Sequence, residues 1–521
     1  MEDSPMTFTP FIQRPNEYER VVSFLLDQRF FLPVAITTSL PGGRGFGKTT
    51  LAHAVCQDPR VKAFFSDGII WITLGQGLSN LDLLSRIQQV IFDLTGKRSA
   101  LEDIDTAQER LHEILHPRRT LMVIDEADDP EALKPFIQAG PGGACLLITH
   151  NDKSLPEGAR RISVDIMMPD ESAALLVAGI VKSGPVNGET DPSGFPLEPG
   201  GTVYQEGAGL ITGDSGPGWN EEAPPLPEKR HTGSLMAALL NPENNEANVR
   251  PSSVLDRVDR MNQERRSVSQ DVSAHPLPAP KSTSKPTLPL DLNNLLAALC
   301  DRLNEWPLLL GLANGLLREN LLAGRVPEME WTPEICAALS AEIQAFNSAL
   351  DRCGITAGWR IDNPEARKRA LDGVMASCQA PLSTADREHY FELAAFPVQE
   401  NIPLSAAAVM WELDRDGALA LAGRLNQRGL ITLEPEMDTF RLQSALHACL
   451  RDQYLADDLA RLHNHLVECY QKRCSAFGGW STGPDDGYYF QHLAGHLVAA
   501  GRRGELQSLL YDYGWLARYL N

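Results

Sequence analysis

The sequence is short of several things at once. Its nine cysteines, spread from Cys56 to Cys474, include no C-x-x-C pair, so neither a disulfide framework nor a zinc ribbon is expected and the thiols read as reduced and mostly buried. No stretch approaches the run of about 18 apolar residues that a membrane span needs. The first residues, MEDSPMTFTP, are acidic where a secretory leader would be basic, and the expected location is cytoplasmic, with no membrane partner. No basic tract interrupts a net charge of −21, which disfavours nucleic acid as the main partner. No repeat with a period of about 30–45 residues is found. The segment before residue 33 is too short for an effector domain. At 521 residues the chain still has room for several domains, each large enough for its own core.

What is present begins at PGGRGFGKTTLA. Gly42, Gly47, Lys48 and Thr49 satisfy the G-x-x-x-x-G-K-[ST] pattern between an apolar strand and an apolar-periodic helix, the context that a phosphate-binding P-loop requires. Glycines at 42, 43, 45 and 47 let backbone N–H groups curl round phosphates, and the following helix adds its positive end. Gly45, Gly47, Lys48, Thr49 and Thr50 are expected to hold a nucleotide. Lys48 would reach the β- and γ-phosphates, and the Thr49 hydroxyl would face Mg²⁺.

Downstream, GIIWITL (68–74) is an apolar run expected as a strand buried on both faces. A helix is expected over 80–94, with Leu81, Leu84, Ile87, Ile91 and Leu94 on its inner side, and a second over 106–115. The strand TLMVIDE ends in Asp125 and Glu126, the second motif of a P-loop protein: Asp125 for the Mg²⁺ shell and Glu126 to orient or polarise the attacking water. ACLLIT repeats the strand pattern and brings Thr149 and His150 to the same sheet edge, where open α/β sheets bind ligands. Residues 183–290 change character. Pro, Gly, Ser, Asn, Glu and Thr dominate and apolar periodicity fades, so the segment is expected to be a disordered insertion.

Helices return near residue 291. The expected organisation is a lead and helix (1–32), an α/β P-loop nucleotide-binding domain with a parallel sheet (33–182), the insertion (183–290), a helical subdomain (291–380), a winged-helix domain (381–455) and a C-terminal helical segment (456–521). The winged helix rests on three helices followed by two alternating runs split by EPEMD, a hairpin signal.

These residues resemble the NB-ARC module of the signal-transduction ATPases, the family of apoptotic protease activating factor and plant resistance proteins. PGGRGFGKTT, FFSDGIIWITLGQ, LMVIDE, WPLLLGLANGLL and REHYFELAAFPVQENIPLSAAAVMW carry the resemblance, and YYFQHLAGHLVAAGRRGELQSLLYDYGWLARYL is similar to the helical segment that precedes WD repeats in some members. The resemblance implies that Arg14 and Pro15 border the nucleotide and that Pro307 lies against it. It also implies ATP/ADP with Mg²⁺, slow hydrolysis, self-association on activation and an unknown protein effector. Three departures stand out. The family strand usually ends Thr-Thr-Arg where this chain has Thr149-His150, and an imidazole reports a phosphate less firmly than a guanidinium. The insertion interrupts the junction with the first helical subdomain, and ligand-sensing repeats are missing. In the family, a histidine after the wing latches ADP. Here two registers compete: Phe440 and Leu442 alternate as a wing strand and Ser444 is a good N-cap, which puts Gln443 at the junction and His447 a turn inside the helix.

The leading reading is therefore a nucleotide-switched signalling ATPase. The alternative is a winged-helix DNA-binding transcriptional regulator, whose reading surface at 415–429 would offer only Arg415, Arg424 and Arg428. A GTPase or kinase is disfavoured because no N-K-x-D guanine signature stands on the sheet edge.

Overall fold

The computed structural model describes residues 12–27, 32–40, 42–75, 78–97, 101–137, 140–181, 290–322, 329–398, 401–475 and 479–519. The lead at 1–11 and the expected insertion at 183–290, Leu290 apart, lie outside the described residues.

The first half runs α1 (Pro15–Leu26), β1 (Val34–Thr37), α2 (Lys48–Gln57), α3 (Pro59–Phe64), β2 (Ile69–Thr73), α4 (Asn80–Thr95), α5 (Ile104–Leu115), β3 (Leu121–Asp125), α6 (Pro130–Leu133), β4 (Ala144–Ile148), β5 (Arg160–Ser163) and α7 (Pro169–Val177). The five strands form one parallel sheet in the order β2-β3-β4-β1-β5. Strand alternation divides its side chains between two layers. Val34, Ile36, Leu121, Val123, Leu146 and Ile148 pack with Val21, Leu51, Val55 and Phe65 from α1, α2 and the end of α3. Ala35, Met122, Ile124, Cys145 and Leu147 pack with Ile87, Val90 and Leu111 from α4 and α5. This is the expected α/β P-loop arrangement.

Several local expectations need correction. β2 is not buried on both faces: it is an edge strand, and Ile69, Ile70 and Trp71 are only half-buried. Leu81 is 78 % exposed, because the inner face of α4 runs through Leu83, Ile87, Val90 and Ile91. α3, β5 and α7 have no counterpart in the sequence reading.

The second half is helical: α8 (Leu290–Arg302), α9 (Pro307–Leu322), α10 (Pro333–Arg352), α11 (Pro364–Gln379), α12 (Thr384–Glu392), then β6 (Ile402–Pro403), α13 (Leu404–Met410), α14 (Arg415–Gln427), β7 (Thr432–Glu434), β8 (Thr439–Arg441), α15 (Ser444–Arg451), α16 (Ala456–Arg473), α17 (Tyr489–Ala499), α18 (Arg503–Leu510) and α19 (Tyr513–Tyr519). Side chains of Thr332, Asn363, Ser383 and Asp414 accept first-turn N–H groups and so set where four of these helices start. β7 and β8 form the expected hairpin, and β6 adds a third antiparallel strand, Ile402 opposite Phe440.

α9 is apolar all round and is buried as such. Its Asn314 is fully buried, and its amide NH2 donates to the carbonyls of Leu176 (3.0 Å) and Ala178 (2.9 Å). At Gly315 a Cβ would stand 2.6 Å from the backbone of Arg428, so only glycine lets α9 approach the end of α14 this closely. One continuous apolar core links these helices to the P-loop: Phe46 stacks on Trp306 with centroids 5.6 Å apart. No helix among the described residues is long and apolar enough to cross a membrane.

Candidate functional site

A cavity of about 380 Å³ opens between the carboxyl edge of the sheet and the later helices. Three helices direct their N-termini at it: α2 through Gly47 and Lys48, α9 through Pro307 and Leu308, and α15 through Gln443, Ser444 and Ala445. Each N-terminus carries unsatisfied N–H groups and a partial positive charge.

The P-loop wall is tightly tied. Asp165 fixes the exit of β1 by accepting from the Thr38 hydroxyl (2.7 Å), the Ser39 N–H (2.8 Å) and the Ser163 hydroxyl (2.8 Å), while its own carbonyl accepts from Arg14 Nη1 (2.8 Å). The loop's outer carbonyls are taken up by the start of α9: Trp306 Nε1 donates to the Arg44 carbonyl and the Leu308 N–H to the Gly45 carbonyl, both at 3.1 Å. Gly47 has φ +87°, and no atom lies within 4 Å of where its Cβ would be, which leaves the space over the loop open. Lys48 is 6 % exposed and donates to the Gly43 carbonyl at 2.7 Å. Burial pulls its ammonium pKa down to about 8, against the pull of Asp125, Asp128 and Asp165.

Asp125 Oδ1 accepts the Glu126 N–H (2.9 Å) and faces the Thr49 hydroxyl at 3.4 Å. Both carboxyls are buried, and burial pushes each above the usual carboxylate range. Glu126 takes the left-handed φ of 52° that a non-glycine residue rarely adopts, and its Oε1 is buried without a hydrogen-bond partner among the described residues. Beside it, Asp128 accepts from the Thr149 hydroxyl (2.7 Å) and the His150 N–H (3.1 Å), and its Oδ2 lies 3.0 Å from His150 Nε2. Burial raises the Asp128 carboxyl, but these bonds outweigh it and hold the pKa well below the usual range.

The opposite wall comes from the hairpin unit: Asn426, Gly429, Thr432, Arg441, Gln443 and Ser444. Its one charged group, Arg441, is paired with Glu434 at 2.5 Å. At that end His53 stacks flat on Trp71, centroids 4.0 Å apart, and burial takes the imidazole down to about 4.

Of the residues predicted from sequence, Arg14, Gly45, Gly47, Lys48, Thr49, Thr50, Asp125, His150, Pro307 and Gln443 line this cavity together. Gly42 lines a second cavity of about 620 Å³ with Arg44, Asp128 and, again, His150. The remaining predicted residues line neither. Pro15 is exposed at the start of α1, Gly43 is covered by Leu40 and Phe46, and Thr149 is turned to Asp128. Glu126 is buried at 5 % exposure, directly after β3.

Of the two competing registers, His447 does not reach the cavity and Gln443 does, and the expected cap needs correction. His447 turns away from the cavity and is 1 % exposed, with Nε2 2.9 Å from the Phe396 carbonyl, and burial lowers its pKa to about 4. Ser444 is the first helical residue and not the cap. The cap position is Gln443, which makes no side-chain cap bond and so leaves its amide free to face the cavity. The sequence reading missed Asp128, Asp165, Arg44 and Arg441. Asp128 was open to detection as the third carboxylate of IDEAD, on the loop that faces the end of β4.

Residues 16–183 match the NB-ARC domain and residues 459–521 the APAF-1 helical domain. Among curated proteins the chain is similar to the regulatory protein AfsR of Streptomyces coelicolor, 30% identical over 146 residues, and to the putative disease resistance protein RGA4 of Solanum bulbocastanum, 30% over 146 residues. It is also similar to apoptotic protease-activating factor 1 of Danio rerio, 27% over 151 residues. These matches cover 27%, 26% and 28% of this chain but only 14%, 14% and 12% of the relatives. Among solved structures, a signal transduction ATPase with a tetratricopeptide repeat sensor from Pyrococcus horikoshii aligns with 98% of this chain and 52% of its own, at a TM-score of 0.45 and 10% identity.

Proposed function

We propose that this chain, which carries an NB-ARC domain at residues 16–183 and an APAF-1 helical domain at residues 459–521, is an ATP/ADP-switched signalling ATPase. The observation that carries the reading is the convergence of three helix N-termini and a buried lysine on one cavity, an arrangement suited to a polyanion. Lys48 would hold the terminal phosphates. Thr49 and Asp125 fit a divalent cation, since their oxygens already lie 3.4 Å apart and a cation would relieve the burial of the carboxyl. A bound Mg²⁺ would supply charge neutralisation at the phosphates. Glu126, with an unpartnered oxygen, would polarise water, and Arg14, Pro307 and the apolar side chains of α9 would enclose the base.

The switch would lie in the hairpin unit, which we infer to be a winged helix: it reaches the nucleotide through Gln443, so exchange of ADP for ATP would change its seat against the P-loop wall and license self-association. The DNA-regulator reading has less support, because Arg428 is buried against Glu319 and the exposed Arg415 and Arg424 each sit beside a carboxylate, Asp438 (3.2 Å) and Asp386 (2.8 Å).

Heat-release of whatever nucleotide accompanies the purified protein, followed by chromatography, should yield adenine nucleotide, and the particle mass should rise when ATP replaces ADP. A guanine nucleotide would overturn the reading. An unchanged mass would remove the self-association step.

A further inference from the structure

Away from both cavities, the end of α13 meets α16 at Glu412, His465 and Cys469. We propose that these three side chains form a binding site for a divalent transition metal, with zinc the ion that best suits carboxylate, imidazole and thiolate together.

His465 and Cys469 are four residues apart on α16, so they share one face. Sγ lies 3.7 Å from Nε2 and 3.9 Å from Nδ1 of the imidazole, and one donor atom from each of the three residues lies within 4.8 Å of the others. Tetrahedral zinc, with bonds of about 2.0 Å to nitrogen or oxygen and 2.3 Å to sulfur, separates its ligands by roughly 3.3–3.5 Å. Closing onto the ion therefore needs only small side-chain movements. Glu412 comes from a different element and holds the left-handed φ of 52°, an uncommon backbone for glutamate that turns the chain directly after α13.

The local field favours a cation. Without metal, the thiol proton and the Lys472 ammonium, 2.5 Å from Glu412 Oε1, neutralise the cluster. Lys472 is 64% exposed, so its release into water costs little. On binding, the Cys469 S–H bond breaks, its proton leaves to solvent and the thiolate takes the metal, while water completes the fourth position. Because a proton is released, affinity must rise as pH rises. The ion would join the hairpin unit to the C-terminal helices.

The test is a cobalt(II) titration of the chelator-stripped full chain with Mg·ADP present. One equivalent should give a thiolate-to-cobalt absorption band with tetrahedral d–d bands, and zinc should displace it. Cys469→Ser should abolish the charge-transfer band. His465→Gln and Glu412→Gln should weaken binding more than about tenfold, at least the loss seen when an outer-shell partner is removed. Cys353→Ser, at the exposed cysteine, should leave it unchanged. ADP binding by each variant reports that it has folded. No thiolate band in the parent chain, or a band that survives Cys469→Ser in the folded variant, would overturn the site.

Discussion

The two walls of the cavity differ in chemistry as much as in origin. The P-loop wall concentrates ionisable groups: Lys48 donates to the Gly43 carbonyl and Arg14 to the Asp165 carbonyl, Asp125 accepts the Glu126 N–H, and His150 Nε2 lies 3.0 Å from Asp128 Oδ2. The hairpin wall presents amides and hydroxyls, Asn426, Thr432, Gln443 and Ser444, and its single guanidinium is engaged by Glu434. Charge-assisted hydrogen bonds are roughly twice as strong as neutral ones. Under the proposed reading, one wall would anchor the ligand and the other would act as a weak, easily released latch.

The largest effect should come from Glu126, which follows Asp125 of the charged wall without lining the cavity itself. Glu126→Gln keeps the side chain's shape and removes the base, so ATP turnover should fall by about 10²–10⁴-fold with ATP affinity retained. Turnover at the parental rate would leave Glu126 as a strand-end carboxylate only.

The same wall should respond to alkali. Lys48 has its pKa lowered to about 8 before ligand arrives, and a bound phosphate raises it again. Above pH 8 binding must take up a proton, so ADP affinity should fall by up to about tenfold per pH unit. Isothermal titration at several pH values checks this, and a flat profile from pH 7 to 9 speaks against a buried lysine at the phosphates.

The neutral wall should yield smaller changes. Gln443→Ala removes one uncharged donor and should speed ADP release by about two- to tenfold. His447→Ala should act on stability and leave release unchanged. Stopped-flow release that follows His447 and ignores Gln443 would reverse the assignment of the latch.

The smallest effect is acid sensitivity. The buried His447 is neutral in the folded state, with its pKa lowered from 6.5 to about 4. The unfolded chain gains a proton below pH 6.5 that the folded chain refuses, so stability is lost as pH falls, by about 1.4 kcal/mol per unit. His463 and His496, with Nδ1 atoms 2.8 Å apart and pKa values lowered to about 4 and about 3, add in the same direction. Melting temperature should drop by at least about 2–4 °C per unit between pH 6 and 5.

Much of this was legible because local chemistry is demanding at the P-loop. A glycine at φ +87° and a lysine after it leave few alternatives, and the near-continuous apolar runs of β1, β3 and β4 mark strands buried on both faces. Legibility failed where tertiary position decides. The run GIIWITL reads as a central strand, yet lies at the edge. Arg160-Arg161-Ile162-Ser163 does not read as a strand, yet pairs with β1 along its length. Asp165 carries no motif, because its partners Thr38, Ser39 and Arg14 lie on other segments of the chain. On the hairpin wall, alternation carried the junction to Gln443 and put His447 a turn inside the helix, but the cap fell one residue before Ser444, because helix boundaries are set by backbone pairing that sequence expresses weakly.

The most direct test of the anchoring claim is calorimetric titration of Mg·ADP into the parent chain, Lys48→Ala and Gln443→Ala under one buffer. The account predicts a loss of roughly 10–100-fold in affinity for Lys48→Ala, the value of a charged hydrogen bond, and a loss under about tenfold for Gln443→Ala. Unchanged affinity in Lys48→Ala would contradict it.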